Sequence, residues 1–109
     1  MATVAAYSLK GHEARARDNA ARAWECIQNL LSIGQTFFTV AHLKELGYGG
    51  WGGIHELQAK GVIEDSPYGK AMRNKVHQIS SKLLHVYGAD NLSKMSYWGV
   101  VKKSSNLRT

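Results

Sequence analysis

Residues 47–66 read GYGGWGGIHELQAKGVIEDS. The second half has the pattern of a helix running into a strand: Ile54 and Leu57 share a helical face, Gly61 is placed to stop the helix, and Val62-Ile63-Glu64-Asp65 reads as a strand. The first half sets five glycines among seven residues, with Tyr48 and Trp51 between them. The most flexible residues of the chain thus stand directly before a helix expected over Trp51 to Lys60. What those glycines are for decides how the fold and its surface are understood.

Upstream, Thr39 is a suitable N-cap for a short helix over Val40 to Leu46, with Val40, Leu43 and Leu46 on one face and Gly47 at its end. Gln35-Thr36-Phe37-Phe38 is short and β-prone and reads as a brief strand. From His12 to Ile33, Ala20, Ala23, Trp24, Ile27, Leu30 and Leu31 recur at three- and four-residue spacing, which predicts a long helix closed by Gly34. Arg15, Arg17 and Arg22 lie near its front, where the helix dipole disfavours positive charge. Residues 1–11 show no clear period and are expected to be a flexible arm or a short edge strand.

Downstream, Ser66-Pro67-Tyr68-Gly69 is turn chemistry and Lys75 to Ser80 a second strand, with His77 and Ile79 on one face and Val76 on the other. The two strands are expected to pair across the loop 66–74. Ser81 to Tyr87 reads as a helix ended by Gly88, and 91–101 holds Met95, Tyr97, Trp98 and Val100 for burial. Residues 102–109 read as a basic, solvated tail. The division is therefore an arm over 1–11, a single domain over 12–101 and a tail over 102–109.

The chain has 109 residues, 44% hydrophobic and 20% charged, which suits one globular domain rather than disorder. Its formal net charge of +6 favours a polyanionic partner, because Lys and Arg release counterions from phosphate. The plainer meaning of that charge is solubility. One cysteine, Cys26, excludes an intrachain disulfide and suits a reducing compartment. No apolar run reaches membrane-spanning length and the N-terminus lacks signal-peptide order. A cytoplasmic protein without membrane contact is expected, nucleoid-associated if its source is prokaryotic or viral.

The order helix, short strand, short helix, turn, helix, strand, loop, strand resembles the winged helix-turn-helix superfamily. The resemblance rests on Thr36 to Ser80, under half of the chain. FTVAHLKELG (38–47) is similar to the first motif helix, GIHELQAKGVIE (53–64) to the second, and KVHQIS (75–80) to the returning strand. The implied fold is α+β, mainly helical, with a small antiparallel β-hairpin wing. The resemblance also implies a mechanism, in which the second motif helix enters the major groove of duplex DNA while the wing, Ser66 to Asn74, contacts backbone or minor groove.

On that helix, Gly52, Gly53, His55, Glu56, Ala59 and Lys60 are expected to face outward, with Gln58 able to reach a base edge. The set has no Arg for guanine and no Asn for adenine, and Glu56 is an exposed acid that phosphate repels. The glycines admit two readings. In one, Gly49, Gly50, Gly52 and Gly53 let backbone N–H groups close on a phosphate at the helix N-terminus. In the other, they supply the positive φ of a turn and Trp51 is simply buried. The wing is the clearer cationic feature: Lys70, Arg73 and Lys75 lie within six residues, beside Tyr68 and Asn74. Lys10, Arg15, Arg17 and Arg22 form a second cluster, matched at helical spacing by Glu13, Asp18 and Glu25.

The histidines, His12, His42, His55, His77 and His85, show no metal-ligand pairing, and no second cysteine supports a zinc site. Cys26 reads as a buried small hydrophobe, and Glu64 and Asp65 as neighbours on opposite strand faces. Neither an enzyme nor a cofactor is expected. The favoured expectation is a DNA-binding regulator or DNA-organising factor, a homodimer joined through the first helix and 81–101. The alternatives are a winged-helix module that binds a protein partner in a nucleic-acid machine, as a phage- or plasmid-encoded modulator does, and an RNA-binding protein that stacks bases on Tyr48, Trp51 or Tyr68.

Overall fold

The computed structural model describes residues 2–49, 52–71 and 74–107, and the side chains of 14–49, 52–67 and 75–107 among them. Helix α1 (Ala2–Ser32) carries the predicted stripe, and Ala20, Ala23, Trp24, Ile27, Leu30 and Leu31 are all buried. It begins at Ala2 rather than His12, so the segment expected as an arm or edge strand is helical backbone. Alanine supplies the reason: Ala2, Ala5 and Ala6 have the highest intrinsic helix propensity.

Strand β1 (Phe37–Phe38) is followed by α2 (Val40–Glu45), α3 (Gly53–Ala59), β2 (Ile63–Ala71), β3 (Asn74–Ile79), α4 (Ser81–Ser93) and α5 (Tyr97–Leu107). Thr39 caps α2 as expected, its hydroxyl accepting the His42 N–H at 3.2 Å. Helices α2 and α3 then end alike. Tyr48 N–H reaches Leu43 O and Gly47 N–H reaches Lys44 O; Val62 N–H reaches Leu57 O and Gly61 N–H reaches Gln58 O. That bonding requires a left-handed residue after the helix, which Gly47 (φ 104°) and Gly61 (φ 78°) supply. In each case the residue beyond the glycine, Tyr48 or Val62, is buried, so the stop also delivers a side chain to the core.

The three strands form one antiparallel sheet in the order β1-β3-β2. Ile63, Glu64 and Asp65 face Ile79, Gln78 and His77; beyond a shift in register, Lys70 and Ala71 face Lys75 and Asn74. Residues 66–69 therefore belong to a bulged part of β2, where a turn was expected. A bulge accepts Pro67, which has no N–H to give a ladder. His77 and Ile79 are buried on one face, as the alternation predicts.

Helical dihedrals break at Gly88 (φ 80°, ψ 156°), the predicted end, but helix resumes beyond it to Ser93. The Trp24 indole N–H donates to Met95 O at 2.8 Å, and Gln28 Nε2 donates to Ser93 O and Met95 O, tying the α4–α5 connection to α1. Ser96 then opens α5 by accepting the Gly99 N–H on its hydroxyl. Residues 102–107, expected in a solvated tail, are the second half of α5. Ser104 is buried and donates its hydroxyl to Lys60 O at 2.8 Å. The chain is thus α+β, mainly helical, with a small antiparallel sheet.

Candidate nucleic-acid interface

Helix α3 sits between two flanks. Successive residues rotate by about 100°, so Gly53, Ile54 and Leu57 form one face, and all three are buried. Gln58 lies at one edge of that face and meets the β2–β3 hairpin, its Nε2 donating to Asp65 Oδ1 at 2.9 Å. Glu56 and Lys60 lie at the other edge, where Lys60 O accepts the Ser104 hydroxyl of α5. His55 and Ala59 remain as an outward ridge, both exposed.

On the hairpin flank Lys75 Nζ lies 2.9 Å from Asp65 Oδ2. This hydrogen bond is the first reason the Asp65 carboxyl sits below its ordinary range. Gln58 and Lys75, both expected to contact DNA directly, are therefore engaged by Asp65: the Gln58 bond ties α3 to the hairpin, and the Lys75 pair lies within the hairpin. Next to them His77 is buried, with Nδ1 3.8 Å from Asp65 Oδ1 and no hydrogen-bond partner among the described residues. Burial is the main cause that lowers its pKa; Asp65 pulls it up, and Lys75 and His55 push it down. The ring is neutral at neutral pH.

On the α5 flank Glu56 is not the free acid expected. Its side chain is 24% exposed and lies 3.9 Å from Lys60 Nζ. Tyr97 of α5 is buried, its hydroxyl pushed up first by burial and then by Glu56, while Arg17 of α1 pulls it down. The repulsion that Glu56 would offer a phosphate is thus partly offset by Lys60.

The glycines answer the opening question in favour of packing. Gly52 (φ 82°) is the left-handed residue before α3. Gly53 is buried, and a Cβ there would stand 2.7 Å from the Asn19 backbone and 2.7 Å from the Tyr48 hydroxyl. Burial pushes that hydroxyl's pKa up, and the neighbouring Gly53 and Ile54 backbone pulls it partly back. The space a side chain would need at Gly53 is filled by Tyr48 and α1. Close packing thus accounts for the glycine at 53, and positive φ for the one at 52.

Of the other expected contacts, His55 is exposed on the outward ridge of α3 and Lys60 at its α5 edge. Tyr68, Lys70 and Asn74 lie on the hairpin strands, with side chains outside the described residues. Arg73 falls wholly outside them, as do Gly50 and Trp51. Sequence reasoning missed the α5 flank. Tyr97, Val100 and Ser104 recur at helical spacing, but a buried serine followed by polar residues hides the period. Cys26 is buried with its thiol pushed up by burial, and its Sγ reaches Leu46 O at 3.7 Å. Among the described residues no group of three His, Cys, Asp or Glu is placed to hold a metal ion, and no helix is long and apolar enough to cross a membrane.

Comparison with protein-family models, with curated proteins and with solved structures found no match to this chain.

Proposed function

We propose that this chain is a winged helix-turn-helix protein that binds duplex DNA, with α3 at the major groove and the β2–β3 hairpin as its wing. The observation that carries the reading is the setting of α3. It is a ridge about 10 Å long, raised between the hairpin and α5, reached through the order α1–β1–α2–α3–β2–β3. The sheet order β1-β3-β2 supports it, because it joins the hairpin to the strand before the motif. The ridge residues, His55 and Ala59, offer little to distinguish bases. Affinity then rests on phosphate contacts, and sequence preference is weak.

The test is an anisotropy titration with a mixed-sequence duplex at 50 and 200 mM salt. About four phosphate contacts predict a loss of affinity of roughly 150-fold between the two. Absence of duplex binding at 50 mM refutes the reading, and tighter binding to single-stranded RNA replaces it with the RNA alternative. The proposal extends to a homodimer. Helix α1 is about 46 Å long, close to the molecule's longest extent of 49 Å, and its buried positions among the described residues start only at Ala20. Sedimentation equilibrium returning a monomer at micromolar concentration removes the dimer alone.

A second reading, a protein-binding module, is favoured by Ile33 and Phe37, which are 75% and 54% exposed around β1. It gains ground if duplex binding is absent.

A further inference from the structure

The β2–β3 hairpin holds a buried imidazole with an unmet nitrogen. Phe38, His77 and Asp65 stand side by side across β1, β3 and β2, so their side chains share one face of the sheet. On one side the Phe38 ring lies 6.1 Å from the His77 ring, centre to centre. On the other, Asp65 Oδ1 lies 3.8 Å from Nδ1, about 1 Å beyond a charge-assisted hydrogen bond. Nδ1 is buried and has no hydrogen-bond partner among the described residues. The same Oδ1 accepts from Gln58 Nε2 of α3 at 2.9 Å, while Oδ2 meets Lys75 Nζ at 2.9 Å. The charged and titratable groups that act on the ring are Asp65 on β2, Lys75 on β3 itself and His55 on α3. Strand β1 presents Phe38, and α2 and α4, which also pack on β3, present no group that acts on it among the described residues.

We infer that His77, Asp65 and Gln58 form a proton-operated latch between the hairpin and α3. The 3.8 Å gap suits an imidazole protonated at Nε2, because the lone pair on Nδ1 and the carboxylate repel each other. A proton on Nδ1 reverses the sign. The imidazolium N–H then faces a carboxylate that stays ionised between about pH 5 and 8, its own pKa held low first by the Lys75 hydrogen bond. Closing the gap takes a move of about 1 Å. Asp65 is the partner that moves, since its side chain is half exposed and that of His77 is 7% exposed. Lys75 is also half exposed, and its long stem follows the carboxylate. Gln58 is carried by α3 and cannot follow unless the helix moves. Charging His77 therefore costs the Gln58–Asp65 bond, which ties α3 to the hairpin. The consequence for binding rests on the duplex reading above: the wing and α3 lose their fixed spacing, and duplex affinity falls in acid even though the exposed His55 gains charge there.

The experiment follows the full, isotope-labelled chain by NMR from about pH 7.5 to 4.0. The His77 ring protons should titrate with a midpoint below the ordinary value of about 6.5. The Gln58 side-chain amide should move with the same midpoint, towards the position of a solvated glutamine. His77→Phe should abolish that transition, and Asp65→Ala should leave the Gln58 amide solvated at both ends of the range. Far-UV circular dichroism melts check that both variants are folded. A Gln58 amide that stays still through the His77 midpoint, or that moves equally in His77→Phe, overturns the latch. So does one that moves only as carboxylates titrate, below about pH 4.5. Duplex anisotropy at fixed salt reads the consequence. Between pH 7.5 and 5.5 the wild type should lose about fivefold in affinity relative to His77→Phe. Equal losses in the two proteins overturn the link to duplex binding, and a wild type that binds no duplex overturns the duplex reading. In both cases the Gln58 amide still decides the latch.

Discussion

Replacing Gly53 with alanine separates the two explanations of the glycine run. If the glycine serves close packing, the added methyl enters space already occupied, 2.7 Å from the Asn19 carbonyl carbon and oxygen. That is about 1 Å short of ordinary contact. The obstacle is backbone in the middle of α1, so no rotamer change relieves it, and the Tyr48 hydroxyl stands at the same distance on another side. Helices α1 and α3 must part, or α3 must tilt. Overpacking of this kind costs about 1–3 kcal/mol, and a backbone obstacle argues for the upper part of that range. The gain in helix propensity returns at most about 1 kcal/mol. A net loss of about 2 kcal/mol should lower the melting temperature by roughly 8–16 °C. Urea and thermal unfolding, followed by far-UV circular dichroism, read it directly. Gly49→Ala is the control, since a Cβ there meets nothing within 4 Å. A Gly53→Ala variant as stable as the wild type, within about 0.5 kcal/mol of it, would refute the packing argument. Intact stability with lost duplex affinity would favour the phosphate clamp in its place.

Three further outcomes follow from the same geometry. Tyr48→Phe removes the hydroxyl that stands against Gly53 and should cost about 1 kcal/mol in urea unfolding. Ser104→Ala frees α5 from Lys60 O and should cost about 1 kcal/mol, with faster amide exchange in the last turns of α5. His77 gives a pH signature: its folded pKa lies below the unfolded value near 6.5, so the unfolded chain binds the extra proton and stability falls as pH drops below about 6.5. His77→Phe should shrink the stability difference between pH 7.5 and 5.5, and an unchanged difference would show that His77 is not its source.

The parts of the fold legible in the sequence are those set by local chemistry. The α1 stripe, the Thr39 cap, the stops at Gly34, Gly47 and Gly61 and the alternation of His77 and Ile79 all depend on neighbours within a few residues, and all appear where they were expected. The misreadings share a tertiary cause. Ser66-Pro67-Tyr68-Gly69 has turn composition, but pairing on both sides draws it into a bulge of β2. Ser104 looks like a surface residue until α5 meets the end of α3. Gly53 looks like a loop glycine, although its lack of a side chain is set by α1, more than thirty residues earlier. The candidate site was legible only in outline. Composition announced the cationic hairpin, yet Asp65 holds Lys75 and Gln58, and that capture is a matter of distance across the sheet and helix rather than of sequence.

The central claim is that the α3 ridge and the flanks that frame it form one duplex-facing surface. Chemical-shift mapping of the isotope-labelled chain during titration with a mixed-sequence duplex tests it most directly. The account predicts that the amides of His55, Ala59 and Lys60 shift together, while Ile33 and Val86 stay in place. Shifts confined to Ile33, Phe37 or Val86, with the α3 ridge silent at saturating duplex, would contradict it.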